Sequence, residues 1–298
     1  MSYSLRARDL IVCETLEKCA SLAERAGQGE WNFILNNGSM LFVGARACEH
    51  WLHLDAPVGK GTALGHDAWR LLQLHQGLGG LSKLALPHSQ SSLRLRAEIP
   101  LCEDVDLRTR LSEACAGLKA TAGRLHGEAK TARPQAYSSS ISQEKERTDT
   151  ASLQQLFEES GWKFTERTQT KLAVDLEAGN GFYQAIVEEQ ANGAVSVSVE
   201  LARDTSFGES SKRAIGALLL RASAEIRMAR AVIKEGEEGA TAGFEALFQT
   251  APCAAELDHA LSALAIACRL CGQAIAAIQD ESIAKNYLAA QGLLVKSK

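Results

Sequence analysis

Two stretches of the chain carry the same stripe of apolar positions. Leu107, Leu111, Ala114, Leu118, Thr121 and Leu125 form one, and Leu257, Leu261, Leu264, Cys268, Cys271 and Ile275 the other. Each pair is 150 residues apart, and the steps of four and three residues place every member on one face of a helix. Thr121 is the one polar member. Asp106 and Glu256 supply an acid near each helix start, where the backbone dipole favours it. A second correspondence sets Leu22-Ala23-Glu24-Arg25-Ala26-Gly27 against Leu156-Phe157-Glu158-Glu159-Ser160-Gly161, and both read as a short helix ending in a glycine cap.

Between these anchors the pattern changes to alternation. Residues 31–35, 40–45 and about 50–55 in the first half, and 171–177, 182–188 and 194–201 in the second, read as strands. Val195, Val197 and Val199 alternating with Ser196, Ser198 and Glu200 give the clearest case. Asn36-Asn37-Gly38, Gly179-Asn180-Gly181 and Asn192-Gly193 supply hairpin turns. A helix follows near 62–76 and near 210–224. Further strands come at 93–99, at 226–233 and at 244–248.

The expected architecture is α+β. It consists of two repeated modules of order α-β-β-β-α-β-β-α, each an antiparallel sheet with helices packed against it, paired within the chain as a pseudo-dimer. The first module takes residues 1–126, a polar linker 127–150, and the second module 151–298. The linker is rich in serine, glutamine and charge, and about 24 residues of it span roughly 25–30 Å as a coil. Residues 235–243 are a second flexible candidate, and 1–10 and 284–298 read as terminal extensions.

Composition agrees with two globular domains. The 298 residues are 46% hydrophobic and 23% charged, with five prolines. Net charge is −4, divided as +1 over residues 1–150 and −5 over 151–298. Neither half has the basic excess of a nucleic-acid binder, and the pair Arg94 and Arg96 reads as a solvated strand face. No apolar run reaches about 18 residues, so no membrane contact is expected. Leu10-Ile11-Val12-Cys13 is too short for a signal-peptide core. A cytoplasmic protein with its eight cysteines as thiols is the expectation.

Candidate chemistry is sparse. Cys268-Arg269-Leu270-Cys271 is a CxxC, but it lies in mid-helix without a second ligand pair, so packing thiols are expected. His50 and His53 point to opposite faces of a strand, and Cys48 with His50 provides only two ligands. His66 and His75 fall on opposed helix faces, and His259 lies off the apolar stripe. Val58-Gly59-Lys60-Gly61-Thr62 lacks the glycine and the hydroxyl residue that a phosphate loop needs. Gly208-Glu209-Ser210-Ser211 predicts a helix start capped by Ser210 or Ser211. The pair Glu188-Glu189 has nothing to single it out for acid–base work. Nucleophile-elbow, zinc-protease and dinucleotide motifs are absent. No catalytic, metal or cofactor residue is therefore assigned, and no cofactor is expected.

The strand series 31–55 and 171–201, the central helices with Trp69, Leu72, Leu218 and Leu219, and the closing Leu107 and Leu257 helices resemble the type III secretion chaperone fold and the related bacterial YbjN-like group. That resemblance implies a non-catalytic protein that holds an extended segment of a protein client. Two fused copies would form within one chain the dimer that such chaperones make from two, so a monomer with intramolecular pairing is implied. A small-molecule sensor or an enzyme with a site between the modules is the alternative, suggested by Trp31, Trp51, Trp69, His50 and His53. In a third reading, one module serves only as a structural partner for the other.

Overall fold

The computed structural model describes residues 5–36, 40–60, 64–75, 80–87, 92–127, 153–179, 181–204, 207–236 and 239–293. The first half contains α1 (Leu5–Cys19), β1 (Leu22–Gly27), β2 (Glu30–Asn36), β3 (Met40–Ala47), β4 (Trp51–Lys60), α2 (Leu64–His75), β5 (Ser82–Ala85), β6 (Ser92–Pro100) and α3 (Leu107–Gly127). The second contains α4 (Leu153–Ser160), β7 (Thr165–Thr168), β8 (Lys171–Ala178), β9 (Gly181–Glu189), β10 (Val195–Asp204), α5 (Glu209–Glu225), β11 (Arg230–Gly236), β12 (Gly239–Phe248), α6 (Ala254–Ile278) and α7 (Glu281–Ala290). The architecture is α+β, with two six-stranded antiparallel sheets ordered β1-β2-β3-β4-β6-β5 and β11-β12-β10-β9-β8-β7.

The hydrophobic pattern misses β1 and β5 in the first half and β7 in the second. Residues 22–27 are not a helix end. They form the edge strand β1, paired with β2 from Leu22↔Ile34 to Gly27↔Glu30. The local signal is the turn at Gly27-Gln28-Gly29, where Gly29 takes φ +69°; the exposed edge strand has no apolar alternation to reveal it. The helix instead occupies Leu5–Cys19, most of it beyond the segment read as an extension. Residues 156–161 do end a helix, with Gly161 at φ +74°, so the two segments aligned at the starts are not equivalent. β7 is wholly exposed, and β5 is only four residues long. Residues 235–243 form the β11–β12 hairpin arms, apart from 237–238, which lie outside the described residues. Residues 281–290 form α7 rather than a loose tail, with Asp280 capping it through the Ser282 and Ile283 amides. The linker segment 128–150 also lies outside the described residues.

Alternation sets one face of each sheet inward. Trp31, Phe33 and Leu35 of β2, Leu41, Val43 and Ala45 of β3, and Leu52, Leu54 and Ala56 of β4 are buried with Val12 and Leu16 of α1 and the Leu107–Leu118 stripe of α3. The second sheet buries Leu172, Val174, Leu176, Ala185, Val187, Val195, Val197 and Val199 with the α6 stripe. Thr121 is buried as well, and its hydroxyl lies 3.2 Å from that of Ser82, which accounts for the polar member of the stripe. By length and composition α6 is apolar enough to cross a membrane, with mean hydropathy 1.8 over its best window; that window is half buried, against β8, β9, β10 and β12.

The two halves meet along a seam formed by α2 and β5 on one side and α5 and β11 on the other. Gly216 of α5 lets the α2 backbone approach closely; a Cβ there would stand 2.6 Å from the Trp69 amide nitrogen. Trp69 meets Phe207 edge-on, and the Leu86 amide donates to the Leu220 carbonyl at 3.0 Å. Two buried charge clusters cross the seam. Lys83 pairs with Glu98 at 2.8 Å and donates to the Ile226 carbonyl, while Glu98 accepts the Met228 amide. Burial pulls the Lys83 ammonium below the usual lysine range, and Glu98 opposes that pull. The second cluster centres on Arg110 of α3. Its guanidinium donates to both carboxylate oxygens of Glu256, to Glu113, to the Thr250 hydroxyl and carbonyl, and to the Ala251 carbonyl.

Removing one partner from such a cluster strands the others in low dielectric. Arg110→Ala is expected to cost about 3–5 kcal/mol, read as a lowered denaturant midpoint of the full chain. Glu245 supplies a pH test. Burial alone would raise its carboxyl, but Arg230 and Lys234 outweigh burial and hold it at about 2, against an ordinary value of 4.5. Its stabilisation is therefore complete above about pH 4.5 and is lost as pH falls toward about 2, on the order of 3 kcal/mol. A Glu245→Gln variant should flatten that acid limb in urea unfolding measured across pH.

Candidate binding face

Helices cover one face of the first sheet, and the other face forms a trough of about 950 Å³. Strand pairing builds it in rows. Leu22, Ile34 and Phe42 stand abreast on β1, β2 and β3. The next row is Asn32, Gly44, Asp55, Arg96 and Lys83, and the third is Glu30, Arg46, His53 and Glu98. One end of the trough is therefore apolar and the other charged.

The apolar end is exposed. Leu22, Met40 and Phe42 keep 58%, 65% and 61% of their surface in solvent. These are large side chains that the core does not use, and they are contiguous rather than scattered. The charged end is held rigid. Asp55 pairs with Arg94 and with Arg96, the latter at 2.8 Å, and Arg96 also reaches the Ala224 carbonyl at the end of α5. The floor of the trough is thus tied to the seam. The turn 226–229 is joined to this end through the Met228 amide, which donates to Glu98; Met228 lies in the left-handed region at φ 65° and Arg227 5.5 Å from the Trp51 ring centre.

The second sheet has a different open face. Bulges in the edge strands (Arg25/Gly27 and Glu166/Thr168) and in the fourth strands (Pro57/Gly59 and Glu200/Ala202) give a common register. By that register Ile34 and Phe42 correspond to Asp175 and Gln184. Those two are joined by a hydrogen bond of 3.2 Å, and Arg167 donates to Gln184 at 3.1 Å. By the same register Met40 corresponds to Phe182, which is 83% exposed, so the second face keeps apolar surface there; the two sheets differ at Ile34 and Phe42, whose places the polar pair Asp175 and Gln184 takes.

The residues singled out in the sequence scatter. Cys268 and Cys271 are buried on α6, and burial pushes both thiols up to about 12. Cys48 and His50 are exposed in the turn between β3 and β4 rather than sharing a strand. His53 lies half-buried in the trough, where burial lowers its basicity. His259 is half-buried 5.2 Å from Trp51, not solvated. Trp31 is core and donates to Cys13 Sγ at 3.2 Å. Residues 58–60 belong to β4, and 61–63 lie outside the described residues, as do the side chains of His66 and His75. Neither Ser210 nor Ser211 caps α5. Glu281 does so across the fold, accepting their amides at 3.1 and 3.2 Å. Among the described residues no three His, Cys, Asp or Glu side chains gather as metal ligands would. Comparison with protein-family models, with curated proteins and with solved structures finds no match.

The sequence pattern does not mark Leu22, Met40 and Phe42: Leu22 falls in the segment read as a helix end, and an apolar residue on a strand, such as Met40 or Phe42, is ordinarily assigned inward. The register marks them: Phe42 follows buried Leu41 and precedes buried Val43. Since these side chains do not support the core, Leu22→Ser and Phe42→Ser should each shift stability by no more than about 0.5 kcal/mol. Trp31→Ala should cost about 3–5 kcal/mol. Chemical denaturation of the three variants checks the contrast.

Proposed function

We propose that the protein is a non-catalytic, chaperone-like or adaptor-like binder that holds an extended apolar segment of a protein client in the trough of the first sheet. The observation that carries this reading is the apolar row Leu22, Ile34 and Phe42, exposed at Leu22 and Phe42 and extended by Met40, where the second sheet keeps exposed Phe182 at the place of Met40 but sets the polar pair Asp175 and Gln184 at those of Ile34 and Phe42. A strand-like segment laid there would bury alternate side chains against apolar surface, and the exposed edge β1 offers unpaired backbone groups alongside.

On this reading the chain is a duplicated module paired with itself, and the second module braces the first. The contacts at the seam are reciprocal: α2 meets α5, α2 meets β11, α5 meets β5, and β5 meets β11. That is the pattern of a two-fold interface. The sequence offset between register-matched residues climbs steadily, from 141 at Trp31 and Leu172 through 143 at Leu54 and Val197 and 147 at Lys83 and Arg230 to 150 at Leu107 and Leu257. Lys83 and Arg230, so matched, are both buried cations paired to a buried glutamate on the neighbouring strand. These features support the duplication; kinship with the type III secretion chaperone or YbjN-like fold, and a monomeric, cytoplasmic chain without a cofactor, are the further parts of the proposal.

Fluorescence anisotropy against a panel of labelled, extended apolar peptides tests the assignment. Peptides that bind the native chain should lose at least about tenfold in affinity with Phe42→Glu, roughly 1.4 kcal/mol, and little with Gln184→Glu. Equal affinity for both variants, or no binding across the panel, would reject it. A second reading, a small-molecule site at the seam, draws on Trp51, which Arg227 and His259 flank with His53 on the same strand. A thermal shift with a metabolite panel that Trp51→Ala abolishes and Phe42→Glu spares would favour it instead.

A further inference from the structure

Cys19 is the last residue of α1, and Cys115 lies on α3, which packs against α1. Cys115 is buried and Cys19 half-buried, so solvent reaches only one of the two. Ser112, Cys115 and Lys119 are spaced three and four apart and share one face of α3. Two of them hold Cys19 directly. Its sulfur lies 3.8 Å from the Ser112 hydroxyl and its carbonyl accepts the Lys119 ammonium at 2.5 Å, which sets Cys19 against the helix face where Cys115 stands between those two residues.

We propose that Cys19 and Cys115 form a peroxide-reactive dithiol site, with Cys19 the attacking thiol and Cys115 the resolving one. The environment divides their roles. The hydrogen bond from Cys115 lowers Cys19 to about 6, burial opposes it, and Ser112, Lys119 and Lys18 add to the lowering. The same bond, then burial and the neighbouring thiolate, push Cys115 well above the ordinary thiol range. The proton thus rests on Cys115 and the charge on Cys19. On α6, Cys268 and Cys271 are poor candidates, since burial pushes both up to about 12.

The Cys19 thiolate attacks one oxygen of hydrogen peroxide. A sulfur–oxygen bond forms, the oxygen–oxygen bond breaks, and the departing hydroxide takes a proton to become water. The Cys115 sulfur then attacks the sulfenic sulfur; the disulfide forms, the sulfur–oxygen bond breaks, and hydroxide leaves with the Cys115 proton as a second water. Two thiols lose two electrons, and one peroxide is reduced to two waters.

Treating the full native chain with hydrogen peroxide, followed by non-reducing digestion and mass mapping, tests the site. A Cys19–Cys115 disulfide should be the dominant product. In Cys115→Ser, Cys19 should stay as a sulfenic acid trapped by a 1,3-dione probe, and in Cys19→Ser, Cys115 should remain unmodified. Site-resolved alkylation of the untreated chain should give Cys19 a pH midpoint near 6. At pH 6 it should react about tenfold faster than an unperturbed cysteine, the gain in thiolate exceeding the loss in nucleophilicity. Cys19 left reduced, Cys19 joined to another cysteine, or a midpoint near 8.5 would overturn the proposal; the alkylation arm needs no variant.

Discussion

A single guanidinium holds the seam of this protein in one orientation. Arg110 leaves α3 of the first half and is saturated by groups from both: Glu113 on its own helix, and Glu256, Thr250 and Ala251 from the second half. Buried arginine carries a large desolvation cost, offset only when every donor finds an acceptor in good geometry. Sliding one half past the other would break several of these bonds at once. The Lys83–Glu98 cluster repeats the constraint at the other side, and Gly216 permits the close helix approach between them. Such charge clusters add less to stability than an apolar seam of equal area would, but they define one arrangement.

What that arrangement fixes is the trough. Arg96 links Asp55 in its floor to the end of α5, and Glu98 at its charged end accepts the Met228 amide. The first sheet therefore depends on the second half for the shape of its open face. The apolar row at the far end lies away from these anchors and stays exposed. A rigid charged end beside an apolar one is a means of orienting a bound segment as well as holding it, since polar positioning supplies register and apolar burial supplies affinity.

The sequence disclosed the parts whose signal is periodic burial. The α3 and α6 stripes are buried almost throughout, and β2, β3, β8 and β9 lie within a residue or two of the alternating stretches, while β10 runs three residues past its own. The elements it concealed are those without such a period. β7 is exposed along its length, β5 is buried along its length, and β1 lies at an edge. The Leu22–Gly27 segment misled because leucine, glutamate and a closing glycine suit a helix end locally, while pairing with β2 is a tertiary preference. Capping failed for a related reason: serines at a helix start suggest themselves as caps, whereas Glu281 arrives from 70 residues away. The trough was unreadable for the same cause, because cross-strand rows exist only once register is known.

A client segment is proposed to lie on the open face of the first sheet. Hydrogen–deuterium exchange of the full chain, with and without a saturating apolar peptide, addresses this most directly. Protection is predicted in β1, β2 and β3, with β7, β8 and β9 unchanged. Protection confined to the seam helices α2 and α5, or spread equally over both sheets, would contradict it.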